Sequence, residues 1–405
     1  MDSNFDVVLL KACRICNSEL IDFFHYENVP IAGTYLTQAD LGSEPLLPLT
    51  AALCSNCGLI QLREIVPDSI YTSYRFIGTG SASYRAYIDQ VVASLISEQG
   101  IRDKKVIEIG CNDGYLMKRL RDKGSNLVFG YEPSFQLQQA YQESDIPVAR
   151  TFFSSDNLGE CPILPADVII IRHVLEHIND LHGFMDAVCS ALTDTGVLII
   201  EVPDVDAILS NGLYFHFYHE HLSYFSLFSL EKLFDQYGFQ ISMHKRVSIH
   251  GGSLYLVCKR TPRTDTSIMN SIRETNHLEK LCRDFAVDMK TYLGELEMFL
   301  KQQRAEGVRF VGFGAAHRTN IVCSLAKITR DQIEYLVDNN HYLHGLFTPG
   351  THLQIYDPIK LCQEPTDAII IFATSFEEEI VKEQRAIRER GGRFVSLLPK
   401  PRYLP

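Results

Sequence analysis

An apolar strand that runs directly into a glycine turn and a helix is the feature that most restricts the fold of this 405-residue chain. Residues 106–114 read Val-Ile-Glu-Ile-Gly-Cys-Asn-Asp-Gly, and a helix is predicted over residues 115–123. Glycine lets a backbone turn tightly and approach a ligand closely, and the N-terminus of a helix attracts a carboxylate or a phosphate. The pattern therefore predicts an α/β domain that binds a small molecule with a nucleoside end.

The acidic residues around this turn favour one class of ligand. A dinucleotide-binding fold would carry Gly-x-Gly-x-x-Gly after its strand, whereas this turn has an acidic residue before its first glycine and Asn-Asp before its second. Another glutamate ends the next predicted strand, about 20 residues later, where a carboxylate can accept hydrogen bonds from both ribose hydroxyls. These features favour S-adenosylmethionine over NAD; the alternative is a glycine turn with an incidental exposed glutamate. The predicted cofactor-binding residues are Glu108, Gly110, Asn112, Asp113, Gly114, Glu132, Pro133 and His173.

Four of the eleven cysteines form two Cys-x-x-Cys pairs, Cys13 with Cys16 and Cys54 with Cys57. Each pair can direct two sulfurs at one ion, and four thiolates fill the coordination sphere of Zn²⁺. The sequence therefore predicts a structural zinc site that holds residues 1–70 together, because this proline-containing segment has little core of its own. A redox pair or unrelated thiols are the alternatives.

Length and charge restrict the class of protein further. A chain of this length is expected to hold two or three domains, and its 46% hydrophobic and 22% charged residues are typical of a globular protein. The net charge of −12 and the lack of a sustained basic run argue against a nucleic-acid partner. Residues 1–11 resemble neither a signal peptide nor a membrane span. We expect a cytoplasmic protein without a membrane partner, either a monomer or a weak homo-oligomer.

Apolar runs alternate with predicted helices from residue 105 onward, as in a doubly wound α/β sheet. Parallel strands are predicted at 106–109, 127–131, 168–171 and 197–202, and a terminal antiparallel pair at 239–247 and 253–258. A second set of strands is predicted at 308–311, 335–337 and 368–373, with a glycine turn at 312–316 and Asp338 interpreted as a nucleotide cradle. We expect a zinc-binding domain (1–70), a helical linker contributing to the active site (71–104), a domain that binds S-adenosylmethionine (105–262), an amphipathic helical connector (263–305) and a smaller Rossmann-like domain on the substrate side (306–405).

Residues 214–226 carry three histidines, His216, His219 and His221, within six positions. Imidazole titrates near neutral pH, and an adjacent carboxylate such as Glu220 can hold its tautomer and stabilise its charged form. The segment therefore predicts a general base. One alternative is a metal site that pairs His216 with Glu220 or His219, although His-Glu-x-x-His does not occur. Another is a buried aromatic loop in which the histidines only form hydrogen bonds.

A second histidine cluster, residues 172–177, follows the predicted strand 168–171. Ligands of open α/β sheets bind at the carboxyl ends of the strands, where this cluster should lie. His173 and His177 are four residues apart and could share one face of a helix. One of them can then help to bind substrate while the other caps or packs.

Several motifs, taken in order along the chain, resemble those of one family. They are the two cysteine pairs, the turn from Glu108 to Gly114, Tyr-Glu-Pro-Ser at 131–134, Tyr-His-Glu-His at 218–221, His-Gly-Gly-Ser at 250–253 and Thr-Pro-Gly-Thr at 348–351. The chain resembles the three-part sugar C-methyltransferases, which act on nucleotide-linked 4-keto-deoxysugars. The resemblance covers essentially the whole chain. It implies an N-terminal zinc-binding domain, a central class I methyltransferase fold and a C-terminal Rossmann-like domain that helps to enclose the nucleotide-sugar.

The resemblance also implies roles for five residues of the site. His221 matches the base of the family, Glu220 its neighbour, Tyr218 a phenol of the pocket, His177 a polar active-site residue and Tyr74 an N-terminal tyrosine that reaches the sugar. In that chemistry the base removes a C–H proton next to a ketone, nearby donors hold the enolate oxygen, and the carbanion attacks the sulfonium methyl in line. No catalytic metal is required.

The chain departs from the family pattern at two places. His173 stands where the antibiotic-sugar enzymes of the family have asparagine, and the turn after Gly314 reads Ala-Ala-His317-Arg318 where they carry a lysine. We interpret both positions as lying on the substrate side. The competing hypotheses are an O- or N-methyltransferase, an NAD-linked oxidoreductase that uses the C-terminal glycine turn, and a noncatalytic zinc adaptor that binds a protein or a nucleic acid.

Overall fold

The N-terminal part of the computed structural model consists of short antiparallel strands followed by two helices. The structure describes residues 8–72, 79, 81–125, 127–261, 268–364 and 366–405. Side chains of the central N-terminal strand are buried almost throughout, because both of its faces are covered. The elements are β1 (Val8–Leu9), β2 (Leu20–Pro30), β3 (Leu46–Cys54), β4 (Ile60–Leu62), β5 (Glu64–Ile65), α1 (Ser69–Thr72) and α2 (Ala82–Ser97).

The central part alternates strands and helices, as the apolar runs of the sequence predict. Each strand predicted between residues 105 and 262 is present, with bounds that differ by at most five residues. The elements are β6 (Lys105–Ile109), α3 (Tyr115–Asp122), β7 (Leu127–Tyr131), α4 (Gln138–Glu143), β8 (Val148–Ala149), β9 (Ala166–Arg172), α5 (Leu181–Ala191), β10 (Leu192–Pro203), α6 (Val205–Ser210), β11 (Ser223–Tyr224), α7 (Leu227–Asp235), β12 (Phe239–Val247) and β13 (Ser253–Arg260).

Seven of these strands form one sheet in the order β12-β13-β10-β9-β6-β7-β8. The five strands from β10 to β8 run parallel, whereas β13 is antiparallel to both β10 and β12, so the predicted terminal antiparallel pair is confirmed. Apolar side chains on one face pack with α5 and α7, and those on the other face pack with α2 and α3. The carboxyl ends of β6, β7, β9 and β10 therefore meet at one edge of a doubly wound sheet.

A 38-residue helix, α8 (Ile268–Ala305), follows the central part and matches the amphipathic helix expected there. Its buried residues from Leu278 to Leu300 belong to one apolar cluster that also includes residues of β3, of residues 214–218 and of the C-terminal sheet. The hydroxyl of Tyr292 donates a hydrogen bond to the Leu397 carbonyl over 2.8 Å. Within the described ranges, none of the helices combines the length and the apolar character needed to cross a membrane.

The C-terminal part is a second α/β unit. Its sheet has the order β16-β15-β14-β17-β18-β19, in which only β19 is antiparallel to its neighbour. The strand predicted at 308–311 begins two residues later, after a turn at Gly307 with φ +83°. The elements are β14 (Phe310–Phe313), α9 (His317–Leu325), β15 (Ile333–Val337), β16 (Ile355–Tyr356), α10 (Lys360–Gln363), β17 (Ala368–Ile371), α11 (Glu377–Glu383), α12 (Arg385–Glu389), β18 (Arg393–Ser396) and β19 (Arg402–Tyr403).

The N-terminal sheet includes a strand that is far away in sequence. Its order is β11-β4-β3-β2, and β11 comes from the histidine-rich segment of the central part. Residues 1–70, which we expect to have little core of their own, therefore complete their sheet with a strand of the central part. Apolar residues of this sheet are buried in a cluster that they share with Phe217, Tyr224 and α8. The sheet fixes one end of the segment that carries His221.

Candidate active site

A cavity of about 620 Å³ opens at the carboxyl edge of the central sheet. The glycine turn after β6, the end of β7 and the end of β9 line one side of it. The histidine-rich segment, residues near α1 and the first residues of α9 line the rest. The N-terminal, central and C-terminal parts of the chain therefore all contribute to one site.

The four predicted zinc ligands lie together in the structure. The sulfurs of Cys13 and Cys57 are 3.4 Å apart, as are those of Cys16 and Cys54, and all four sulfurs lie within 4.8 Å of one another. A tetrahedral Zn²⁺ with bonds of about 2.3 Å requires sulfurs separated by roughly 3.8 Å. The cluster therefore fits a closed zinc site.

Each cysteine pair is followed by a residue in the left-handed conformation, Asn17 with φ 56° and Gly58 with φ 69°. The N–H of Asn17 donates to the Cys13 carbonyl, and the N–H of Gly58 donates to the Cys54 carbonyl. A Cβ at position 58 would lie 2.9 Å from side-chain atoms of Leu278 and Phe228. These tight turns direct both sulfurs of a pair toward one point.

The glycine turn after β6 has the geometry that its sequence predicts. Gly110 and Gly114 have φ 69° and 73°, in the region that favours glycine. A Cβ on Gly110 would lie only 2.3 Å from Cγ2 of Val174. Asn112 and Asp113 line the cavity within the turn, and α3 begins directly after it.

Glu132 and Glu108 are buried carboxyls of the same cavity, so the alternative of an incidental exposed glutamate is wrong. The carboxylate of Glu132 accepts hydrogen bonds from the N–H of Asn112, over 2.9 Å, and of Ser134, over 3.0 Å. Burial raises the pKa of Glu132 to about 7 and that of Glu108 to about 8. Hydroxyl donors of a ribose would help to keep Glu132 ionised. Pro133 lines the cavity beside it.

His173 is held between two buried carboxylates. Its Nε2 lies 3.2 Å from Oε1 of Glu201 and its Nδ1 lies 3.5 Å from Oε1 of Glu176. Burial opposes a charge on this ring, but the two carboxylates raise the pKa of His173 to about 9. Arg172 also donates to Glu201, over 2.8 Å. Sequence reasoning missed Glu201, although a charged residue inside the apolar run 197–202 was an available signal.

The prediction that His173 and His177 share one helical face is wrong. His173 has φ 53°, in the left-handed region, and its N–H donates to the Glu201 carbonyl as β9 ends. Only residues 175–177 form a short 3₁₀ turn. The two rings therefore reach different parts of the cavity: His173 contacts His250, and His177 contacts His221.

His221 and Tyr218 form a buried pair that lines the cavity. The Tyr218 hydroxyl oxygen lies 2.6 Å from Nε2 of His221. The ring of His177 meets that of His221 edge to face at 4.8 Å between centroids, and its Nδ1–H donates to the Glu220 carbonyl. Burial, reinforced by the neighbouring histidines, holds the pKa of His221 well below its usual value. His221 is therefore neutral at pH 7 and can accept a proton.

The other two residues of the predicted base segment have different partners. His219 is completely buried outside the cavity lining, and its Nε2–H donates to the Pro48 carbonyl over 2.9 Å. Glu220 accepts a hydrogen bond from the N–H of Gly33 over 2.5 Å, and its Oε1 lies 3.8 Å from Nε2 of His317. Burial raises the pKa of Glu220 to about 7. The Glu220 carboxylate thus has contacts with the N-terminal part and α9 rather than a hydrogen bond to the His221 ring.

The start of α9 closes the cavity beside this segment. Arg318 donates a hydrogen bond to Nε2 of His216 over 3.0 Å, and the His317 ring stacks on Tyr218 at 17° between planes. Because Nε2 of His216 accepts the hydrogen bond of Arg318, that nitrogen is not available for the alternative metal site that pairs His216 with Glu220 or His219. The departure of this turn from the family pattern singled out His317 and Arg318, but it did not predict which residues they contact.

Three residues could together offer ligands to a metal ion: Glu176, His177 and His221 have potential ligand atoms within 4.8 Å of one another. However, Nδ1 of His177 donates to a carbonyl, and Nε2 of His221 is already hydrogen-bonded to Tyr218. Each ring therefore has one nitrogen left for a metal or for proton transfer. Both uses require a neutral imidazole, which is the state of His221.

The predicted Tyr74 lies outside the described residues. Tyr71, which sequence reasoning did not single out, lines the cavity and donates from its hydroxyl to the Glu220 carbonyl over 2.8 Å. Its ring packs edge to face on His177 at 5.1 Å between centroids. An aromatic residue of the N-terminal part therefore contacts the histidine pair.

Asp338, part of the predicted C-terminal nucleotide cradle, holds backbone in this structure. Its carboxylate oxygens accept hydrogen bonds from the N–H groups of Ala315, over 2.6 Å, and Asn340, over 2.8 Å. Burial raises the pKa of Asp338. The carboxylate thereby orders the glycine turn before α9, and the nucleotide cradle stays a prediction.

We expect His219 to make the stability of the protein depend on pH. Burial lowers its pKa in the folded state to about 4, so below pH 6.5 the unfolded chain takes up a proton that the folded chain does not. The free energy of unfolding should therefore decrease as the pH is lowered from 7 to 5. His219→Gln should make this decrease smaller by about 2 kcal/mol. Urea unfolding at both pH values, with the exposed His25→Gln as control, measures this. An unchanged pH dependence in His219→Gln would contradict the assignment.

Three family models together match nearly the whole chain. A model described as "Putative zinc binding domain" matches residues 13–71, one described as "Methyltransferase domain" matches residues 83–243, and one described as "C-methyltransferase C-terminal domain" matches residues 248–399. C-methyltransferase NovU from Streptomyces niveus is 25% identical over 409 residues, which cover 98% of this chain and 97% of that protein.

Two further similarities concern only part of the chain. The tRNA U34 carboxymethyltransferase of Trichodesmium erythraeum is 29% identical over 119 residues, which cover 28% of this chain and 36% of that protein. The crystal structure of magnesium protoporphyrin IX methyltransferase (ChlM) from Synechocystis PCC 6803 with bound SAM is 20% identical. The similarity covers 45% of this chain and 81% of the chain of that structure, with a TM-score of 0.33.

Proposed function

The chain belongs to the three-domain C-methyltransferase family, and from this premise we propose that it transfers a methyl group from S-adenosylmethionine to a carbon atom of a nucleotide-linked keto-deoxysugar. The observation that carries the proposal is one shared cavity. A glycine turn with a buried carboxyl lines one side, and a neutral buried histidine paired with a tyrosine lines another. The zinc-binding domain belongs to the same architecture and is structural.

The central part of the cavity suits the nucleoside end of S-adenosylmethionine. The left-handed glycines Gly110 and Gly114 bring backbone close to the cavity, and Glu132 presents a carboxyl suited to two ribose hydroxyls. The electrophilic methyl group of the reaction comes from the sulfonium of S-adenosylmethionine. The binding residues orient it.

Proton removal is the task that requires His221. A C–H next to a ketone is a weak acid, and the neutral imidazole of His221, whose pKa burial holds low, can accept its proton when substrate lies against it. The Tyr218 hydroxyl, 2.6 Å from Nε2, is placed to exchange a hydrogen bond with the ring or with the enolate oxygen. A carboxylate oxygen of Glu176 lies within 4.8 Å of an imidazole nitrogen and can stabilise the imidazolium that forms.

The C-terminal side of the cavity supports an anionic group on the acceptor. Arg318 and the first turn of α9 lie at the cavity wall, and a helix N-terminus with an arginine is suited to a diphosphate. Arg318 donates a hydrogen bond to the neutral His216, which holds the guanidinium at the cavity wall. A nucleotide-linked acceptor fits this side of the site, as the sequence motifs of the family imply.

Calorimetric titration with S-adenosylhomocysteine tests the cofactor half of the proposal. We expect micromolar binding to the wild type and a loss of about 10–100-fold in Glu132→Ala, because two charge-assisted hydrogen bonds to the ribose are removed. The exposed Glu160→Ala is the matched control and should bind normally. If the wild type binds NAD and not S-adenosylhomocysteine, the oxidoreductase hypothesis replaces this one.

A further inference from the structure

Arg14 connects the first cysteine pair with the segment that carries the predicted base. It lies between Cys13 and Cys16, and only 8% of it is exposed. Its NH1 donates to the Leu62 carbonyl over 2.9 Å and to the Leu222 carbonyl over 3.0 Å. Leu222 directly follows His221, so the guanidinium is hydrogen-bonded to the residue next to the predicted base.

A second set of contacts strengthens this connection. The Leu222 carbonyl also accepts a hydrogen bond from the N–H of Leu62 over 3.0 Å, and β11 pairs with β4 directly after it. The amide oxygen of Gln61, a β4 residue that pairs with Ser223, accepts the N–H of Arg14 over 2.9 Å. The backbone of Arg14 therefore contacts β4, and its side chain contacts both β4 and the residue that precedes β11.

The Nε of Arg14 reaches the chain segment that carries the second histidine of the site, His177. Nε of Arg14 donates to Oδ1 of Asn179 over 3.4 Å, and Asn179 lies two residues after His177 in the cavity wall. One buried cation thus contacts both chain segments whose histidine rings meet at 4.8 Å. Burying a guanidinium is unfavourable unless its donors are satisfied. Among the described residues NH2 of Arg14 has no hydrogen-bond partner, so the bonds of Nε and NH1 are the contacts that fix its position.

We propose that Arg14 is a positioning residue that sets the geometry of His221 and His177 from within the zinc knuckle. The cysteine cluster anchors the backbone of Arg14, and its guanidinium holds the base segment on one side and the His177 segment on the other. Zinc binding thereby supports proton transfer as well as the fold of the N-terminal part. This inference rests on the proposed function for its kinetic consequence, whereas its structural consequence does not depend on the substrate.

The variant Arg14→Met keeps the length and the apolar stem of the side chain and removes its donors. We expect it to retain zinc and to bind S-adenosylhomocysteine like the wild type, while kcat falls about 30–100-fold with little change in KM. Amide hydrogen exchange across residues 214–226 should become about tenfold faster. Arg14→Lys keeps the charge but cannot form the planar fork of hydrogen bonds. Its kcat and its exchange rate at 214–226 should lie between those of Arg14→Met and the wild type.

Arg63→Met is the matched control, because this nearby arginine donates to Asp22 and to the carbonyls of Leu10 and Leu20, all within the N-terminal part. It should leave exchange at 214–226 and kcat near wild-type values. The proposal is overturned if folded Arg14→Met or Arg14→Lys shows wild-type exchange at 214–226, or if Arg63→Met loosens that segment equally. A wild type that methylates no keto-sugar would remove the proposed function instead, and the exchange comparison would still decide the role of Arg14.

Discussion

Replacement of His221 by asparagine is expected to lower kcat for methyl transfer by about 10²–10⁴-fold, the usual contribution of a general base. The ring lines the cavity, is neutral because burial lowers its pKa, and has the Tyr218 hydroxyl 2.6 Å from Nε2. Asparagine fits the space and keeps polar contacts but cannot accept the proton. Binding of S-adenosylhomocysteine should stay within about threefold of wild type, because the proposed cofactor site consists of the glycine turn and Glu132.

The matched control for this variant is His219→Gln, two residues earlier in the same segment. His219 donates to the Pro48 carbonyl and does not line the cavity, so this change should affect stability at low pH but leave kcat near the wild-type value. Initial rates at saturating substrate, together with exchange of the acceptor's C–H proton in D₂O, separate the two roles. Near-normal turnover in His221→Asn would remove His221 from the mechanism.

Replacement of Cys54 by serine is expected to abolish zinc binding and to inactivate the enzyme at growth temperature. Structural Zn²⁺ contributes on the order of 10 kcal/mol to the folding of small zinc domains, and three thiolates cannot close the tetrahedral site. Inactivation follows because β11, which begins two residues after His221, belongs to the same sheet as β3, the strand that ends at Cys54. Metal analysis and the thermal unfolding curve measure the loss.

Cys362→Ser is the control for this variant, since Cys362 is an exposed thiol outside the cluster. It should keep full zinc content and normal activity. Full zinc occupancy in Cys54→Ser would contradict the four-cysteine site. Zinc loss with unchanged kcat would contradict the connection between the N-terminal sheet and the base segment.

The features that could be predicted from the sequence are those set by local pattern. Apolar runs predicted the strands of the central sheet, because a parallel strand covered on both faces must be apolar throughout. The two cysteine pairs predicted a cluster whose sulfurs do lie together, and the spacing of Gly110 and Gly114 predicted a turn with positive φ at both glycines. In each case, neighbouring residues alone impose the geometry.

The features that could not be predicted depend on residues far apart in the chain. The two-residue strand β11 is too short to show a pattern, and it exists because β4 offers it an edge. The sequence placed Glu220 beside His221, but folding brings its carboxylate to Gly33 and His317 instead. His173 looked like part of a helix, but Glu201 on the neighbouring strand holds it in a left-handed conformation.

The most direct test of the central claim is to incubate the enzyme with S-adenosylmethionine carrying a trideuterated methyl group and a panel of nucleotide-linked 4-keto-deoxysugars. Mass spectrometry finds the labelled product, and NMR locates the methyl group. The account predicts a labelled methyl on a carbon next to the ketone, formed together with one equivalent of S-adenosylhomocysteine and lost in His221→Asn. A label found on oxygen or nitrogen, or a product formed equally well by His221→Asn, would contradict it.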